Sequence, residues 1–153
     1  FLKILFYRKG NYSMKKMLRS YAVLLSAFIM IFIFASCSSA TEEQMKTMDD
    51  QMKQYEQIVA DCEEVFAQYP EINDDDYKQQ VAKLAELLKQ IKDQSVELRK
   101  TYEENKDSYD EEKANEVIAS FKDQIEKGET FLTKLKDGLT QVNDLLAQQQ
   151  PAQ

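Results

Sequence analysis

Apolar residues recur at alternating intervals of three and four through most of the chain, and that spacing predicts three long helices. The first carries Met45, Met48, Met52, Tyr55, Val59, Cys62, Phe66 and Tyr69 in unbroken alternation. The second carries Tyr77, Val81, Leu84, Leu88, Ile91, Ser95, Leu98 and Tyr102. The third carries Ala114, Ile118, Phe121, Ile125, Gly128, Leu132, Leu135, Leu139, Val142 and Leu146. Ser95 and Gly128 are the only two of these 26 positions that are neither apolar nor aromatic. At the overall 43% hydrophobic content chance would fill about eleven, so the period reflects structure rather than composition.

An average interval of 3.5 is the heptad of helices that pack at shallow angles. Ile58, Val65, Leu87, Val117, Phe131 and Leu145 widen the apolar face by one row. A wide face suits a helix with two neighbours. The expected fold is all-α, an antiparallel three-helix bundle with coiled-coil-like packing, over 41–147. Its helices are expected at about 41–69, 74–107 and 109–147, with 148–153 (Gln-Gln-Gln-Pro-Ala-Gln) as a frayed tail.

Thr41-Glu-Glu-Gln44 and Ser108-Tyr-Asp-Glu111 read as capping boxes for helices 1 and 3. Tyr69-Pro70 closes the first segment, and Asn73 or Asp74 can cap the second. Lengths of roughly 42, 50 and 57 Å follow from the axial rise. Helix 1 is the shortest, so the tip between helices 2 and 3 is expected to project past its start. Tyr102, Lys106 and Tyr109 lie on that tip. Tyrosines suit the headgroup zone, which makes it a candidate membrane-facing tip; a solvated hairpin is the plainer alternative.

Ahead of the bundle the pattern changes. Lys15, Lys16 and Arg19 precede fifteen uncharged residues, Tyr21 to Ala35, and small residues follow. A basic head, an apolar run of this length and a small-residue ending form a secretory signal; a spanning helix takes roughly 20 apolar residues. Phe34-Ala35-Ser36-Cys37 resembles the lipobox of bacterial lipoproteins, with Phe34 where an aliphatic residue is usual. The resemblance implies a signal peptide over 14–36, lipidation at Cys37 and a short tether over 37–40. Met14-Lys15-Lys16 reads as a natural start, leaving 1–13 as an expected upstream extension. Ser38 rather than Asp after the cysteine implies an outer-membrane address in such families. Glu42 and Glu43 partly resemble the export signal of surface-exposed lipoproteins in Bacteroidota; support of a helix dipole is the alternative. The face of that membrane stays open.

From Cys37 onward there are 14 basic and 27 acidic groups, a formal net charge of −13. Without a basic stripe to release counterions, a nucleic-acid partner is not expected. The chain has no histidine, which removes the commonest general base and metal ligand. Cys62 falls on the apolar row, where a thiol packs as a small apolar group. Asn73-Asp74-Asp75-Asp76 lacks the alternating ligands, central Gly and distant Glu of a calcium loop, and reads as capping. Gly128 and Gly138 sit inside helix 3, so no phosphate-cradling loop is formed; Gly128 can mark a close helix approach or a mild bend.

No cofactor, metal or catalytic site is expected, and the chain reads as non-enzymatic. The expected role is a membrane-anchored envelope lipoprotein acting as a protein-interaction or spacer module. The alternative is an acidic inhibitor or immunity-type lipoprotein masking a basic protein, since such a charge would speed those encounters. Met45, Met48 and Met52 form an adaptable row that could serve a homodimer, although bundle core is the simpler use.

Overall fold

The computed structural model describes residues 39–148. Three helices form, α1 Glu42–Phe66, α2 Asp75–Asn105 and α3 Glu111–Ala147, with a short 3-10 turn, Lys106–Ser108, between the last two. No strand occurs among the described residues. The expected all-α three-helix bundle is what is found.

Local chemistry sets the helix ends. Thr41 and Gln44 form the reciprocal capping box: the Gln44 amide donates to Thr41 Oγ1 at 3.2 Å, and the Thr41 amide donates to Gln44 Oε1 at 2.9 Å. Asp74 caps α2 by accepting from the Tyr77 amide at 2.8 Å. The box expected at Ser108 does not form. Ser108 ends the 3-10 turn and its hydroxyl donates to the Asn105 carbonyl, while Asp110 caps α3 by accepting from the Lys113 amide at 2.6 Å. An acid two places further on suits the N-terminal dipole and leaves room for the turn.

Helix α1 stops at Phe66, three residues before the expected Tyr69. The Gln68 and Tyr69 amides bond back three residues, to the Val65 and Phe66 carbonyls, tightening the last turn. Pro70 disfavours helical backbone at Tyr69. The chain therefore leaves the helix early, and residues 67–74 form a longer connection than expected.

The core draws on all three helices. Met48, Met52, Tyr55, Val59 and Cys62 of α1 meet Leu84, Leu88, Leu98 and Tyr102 of α2 and Ala114, Phe121 and Leu135 of α3, all buried. In α3 the inward face is turned slightly from the expected row. Val117, Gln124, Phe131 and Gly138 are buried, whereas Ile118, Leu132 and Leu139 are only partly so. Gly128 explains part of this turn. A Cβ built there would lie 3.0 Å from Ile58 Cγ2, so the absent side chain lets α1 and α3 come close. Backbone proximity is greatest between α1 and α3 and less between α1 and α2. Between α2 and α3, side chains such as Tyr102 and Phe121 close the gap, with rings edge-to-face at 5.9 Å.

A polar ladder fixes the register of α1 on α2. Asp49, Glu56 and Glu63, seven residues apart, meet Tyr102, Arg99 and Lys92 respectively. By that register Phe66 lies level with about residue 89, so α2 runs on past α1 by about 20 Å. Tyr69 donates to the Leu135 carbonyl at 2.9 Å, so α3 also extends beyond that point. Both overhangs lie at the end where α1 finishes. Helix α1 starts level with the α2–α3 tip, so the expected projection of that tip is not observed. The extended 67–74 connection accounts for the difference, because it spans length assigned to helix and tight turn.

Candidate functional site

The end of the bundle nearest Cys37 is assembled from the start of α1, the tip between α2 and α3, and the start of α3. Cys37 lies outside the described residues, as do the rest of 1–38 and 149–153. The Ala40 amide donates to the Tyr109 carbonyl at 2.8 Å. Gln44 then donates through Nε2 to the Glu111 carbonyl at 3.1 Å and to Asn115 Oδ1 at 2.9 Å. The segment following Cys37 is thus joined to the tip from Ala40 onward.

The two tip tyrosines expected to face a bilayer point inward instead. Tyr102 is 0% exposed and Tyr109 5%. The Tyr102 hydroxyl donates to Asp49 Oδ1 at 2.8 Å, and its ring faces Phe121. Burial raises the Tyr102 hydroxyl well above its ordinary range, and the nearby Asp49 carboxylate adds to the effect. Burial alone pushes Tyr109 up to about 12. Of the three residues only Lys106 keeps a partly open side chain; it pairs with Glu103 at 2.5 Å and its ammonium lies 5.7 Å from the Tyr102 ring centre. Position in the sequence located these residues at the tip. The heptad carried Tyr102 into the core, and the Ala40–Tyr109 bond closes over the other.

Helices α1 and α3 run parallel, so their acidic first turns, Glu42 and Glu43 with Glu111 and Glu112, lie at the same end. Further along, Arg99, the one arginine after Cys37, grips Glu56 with both ends of its fork at 2.8 and 2.6 Å and reaches Glu103 at 3.2 Å. Hydrogen bonding to Glu56 keeps this guanidinium charged well beyond any working pH.

Between the three helices lies a small cavity of about 30 Å³, reached by Val59 and Cys62 of α1, Leu87, Ile91 and Gln94 of α2, and Gln124, Lys127 and Phe131 of α3. Cys62 is a free thiol, 2% exposed, and burial pushes it up to about 12; Asp61 acts in the same direction and Lys136 against it. A thiol held neutral in this way is a poor nucleophile. Among the described residues no group of three His, Cys, Asp or Glu side chains converges as a metal site would, and no helix is long and apolar enough to cross a membrane. The buried amide of Gln124 was not singled out by apolar spacing, because a polar residue interrupts the row. Its seven-residue offset from Val117 and from Phe131 is the signal that places it on the same stripe. No family model matches the chain, and neither does any curated protein or solved structure.

Proposed function

We propose that the chain is a bacterial envelope lipoprotein, anchored through lipid on Cys37, whose bundle acts by protein contact or as a spacer and performs no chemistry of its own. The observation that carries this reading is the joining of Ala40 to the tip only three residues after the lipobox cysteine. A tether that short holds a rigid body at the membrane, with α3 extending about 56 Å at 1.5 Å per residue. Among the described residues Val96 is the only large hydrophobic that stands exposed, so contacts would be made largely through polar and acidic groups. An outer-membrane address follows from Ser38 as part of the same proposal.

Metabolic labelling with an alkyne fatty acid tests the anchor. Wild-type chain should take up label and fractionate with membranes, and Cys37→Ser should abolish both; label retained in Cys37→Ser sinks the reading. Crosslinking in whole cells then identifies the protein contacted. The second reading, an acidic inhibitor of a basic protein, is favoured by the convergence of the two acidic first turns at one end. It requires a captured basic partner whose affinity falls steeply between low and moderate salt. Sedimentation separates either role from a homodimer.

A further inference from the structure

On the protein-contact reading proposed above, we infer that residues 67–74 form a displaceable strap, and that an amphipathic helix of the partner takes their place between α2 and α3. Helix α1 ends at Phe66, but the rows it packs against continue. Leu84, Val81 and Tyr77 extend the row on α2, and Leu135, Leu139, Val142 and Leu146 the row on α3, all at intervals of three and four. Up to Phe66 a helix fills this seam, and the same spacing fits a helix beyond it. The overhang of about 20 Å has room for about 13 helical residues. Pro70 keeps the chain from supplying them itself.

What lies there instead is irregular. Eight extended residues reach about 27 Å, and 67–74 must cover roughly 20 Å between the end of α1 and the start of α2, so they run along the overhang. Three side-chain bonds fasten them: Tyr69 donates to the Leu135 carbonyl at 2.9 Å, Tyr77 to the Pro70 carbonyl at 3.0 Å, and Lys78 to Asn73 Oδ1 at 2.8 Å. The backbone amides of Ala67, Gln68, Tyr69 and Asp74 donate to carbonyls within four residues of themselves. Side chains rather than a backbone ladder thus join the strap to α2 and α3. The cover is incomplete: Tyr69, Pro70 and Ile72 are half-buried, and so are Val81, Leu139, Val142 and Leu146. Freed of its bonds, a strap of this length over this span can bow outward by about 9 Å, close to the width of a helix.

The probe is a photoreactive peptide with the sequence of α1 from Asp49 to Phe66, whose apolar row already fits these two helices. It is irradiated with the full chain in cell lysate, and crosslinked positions are mapped by tandem mass spectrometry. Crosslinks should fall on 77–88 and 136–147. Tyr69→Phe and Tyr77→Phe keep the rings and each remove one of the strap's bonds, so each should strengthen labelling about fivefold, the effect of one hydrogen bond on the open population. Val142→Asp, which puts a charge in the seam and leaves the strap's bonds intact, should abolish labelling with circular dichroism unchanged. Crosslinks confined to exposed Val96, or found at Leu98–Tyr102 where the peptide would have displaced α1, would overturn the inference. So would absence of labelling, labelling unchanged in both tyrosine variants, or labelling that survives Val142→Asp. Dimerisation of the tyrosine variants in sedimentation would assign the seam to a second copy and overturn it as well. The fatty-acid test at Cys37 reads the anchor separately, and neither result decides the other.

Discussion

Gly128 gives the sharpest test of how the helices pack. A methyl group at this position would sit 3.0 Å from Ile58 Cγ2, whereas carbon atoms are comfortable at about 3.5–4.0 Å. Something must give by at least roughly half an ångström. Ile58 is 7% exposed, and a β-branched side chain in a helix has one dominant rotamer, so it has little freedom to move aside. Overpacking of this kind costs about 1–3 kcal/mol, while Ala in place of Gly within a helix returns about 1 kcal/mol. Gly128→Ala should therefore destabilise the bundle by about 0–2 kcal/mol. Ile58→Ala removes the offending methyl at its own cost of about 2–5 kcal/mol. On that background the clash is gone, and Gly128→Ala should become stabilising by about 1 kcal/mol. The assay is urea unfolding of all four chains, read as a double-mutant cycle. Equal stabilisation by Gly128→Ala in both backgrounds would refute the close α1–α3 approach and the register built on it.

Other outcomes follow from single groups. Tyr102→Phe should cost about 1 kcal/mol by removing the bond to Asp49 while preserving the ring packing, measured by thermal or urea unfolding. Asp110→Ala should cost about 1 kcal/mol, and Ser108→Ala much less, because Asp110 holds the α3 cap; equal losses would return the cap to Ser108. The Cys62 thiol is raised from 9.0 to about 12 and the Tyr109 hydroxyl from 10.0 to about 12. Their protonated forms are favoured by folding, so that stability is fully present below about pH 9 and is lost as pH rises toward 12. Alkaline titration of the unfolding midpoint should show the fall, and Cys62→Ala should make it shallower. A thiol reagent should leave Cys62 unmodified in the native chain and modify it in urea.

Helix number, order and most core positions were readable from spacing alone, because burial of one stripe is the only way these segments can leave water together. What spacing leaves undecided is the rotation of each helix by a fraction of a turn. In α3 the doublets Val117–Ile118 and Phe131–Leu132 are apolar at both places, so either could centre the face. The choice falls to the first of each pair in three dimensions, where Gly128 admits Ile58. That rotation also brings Gln124 inside, and the candidate cavity with it. A polar residue is penalised by any apolar count, so its burial becomes visible only through the neighbours seven residues away.

The tip shows a different limit. Tyr102 and Tyr109 were placed correctly along the chain, but an exposed tip required the surplus length of α2 and α3 to lie at that end. Lengths alone do not choose an end; a cross-helix register does. The Asp49–Tyr102, Glu56–Arg99 and Glu63–Lys92 pairs supply it, and the early stop at Phe66 lets residues 67–74 follow the overhang rather than turn back at once. The pairs need little energy for this. Exposed ion pairs contribute about 0–1 kcal/mol each, yet a slip of three or four residues would separate all three contacts together. On the proposed anchoring the consequence is directional. The end joined to the tether is closed by Ala40 and Tyr109, while the ends of α2 and α3 beyond Phe66 are carried furthest from the membrane. A protein approaching from the far side would meet that overhang first, so crosslinks to a spacer's partner should concentrate on 75–88 and 136–147 rather than on the acidic first turns of α1 and α3.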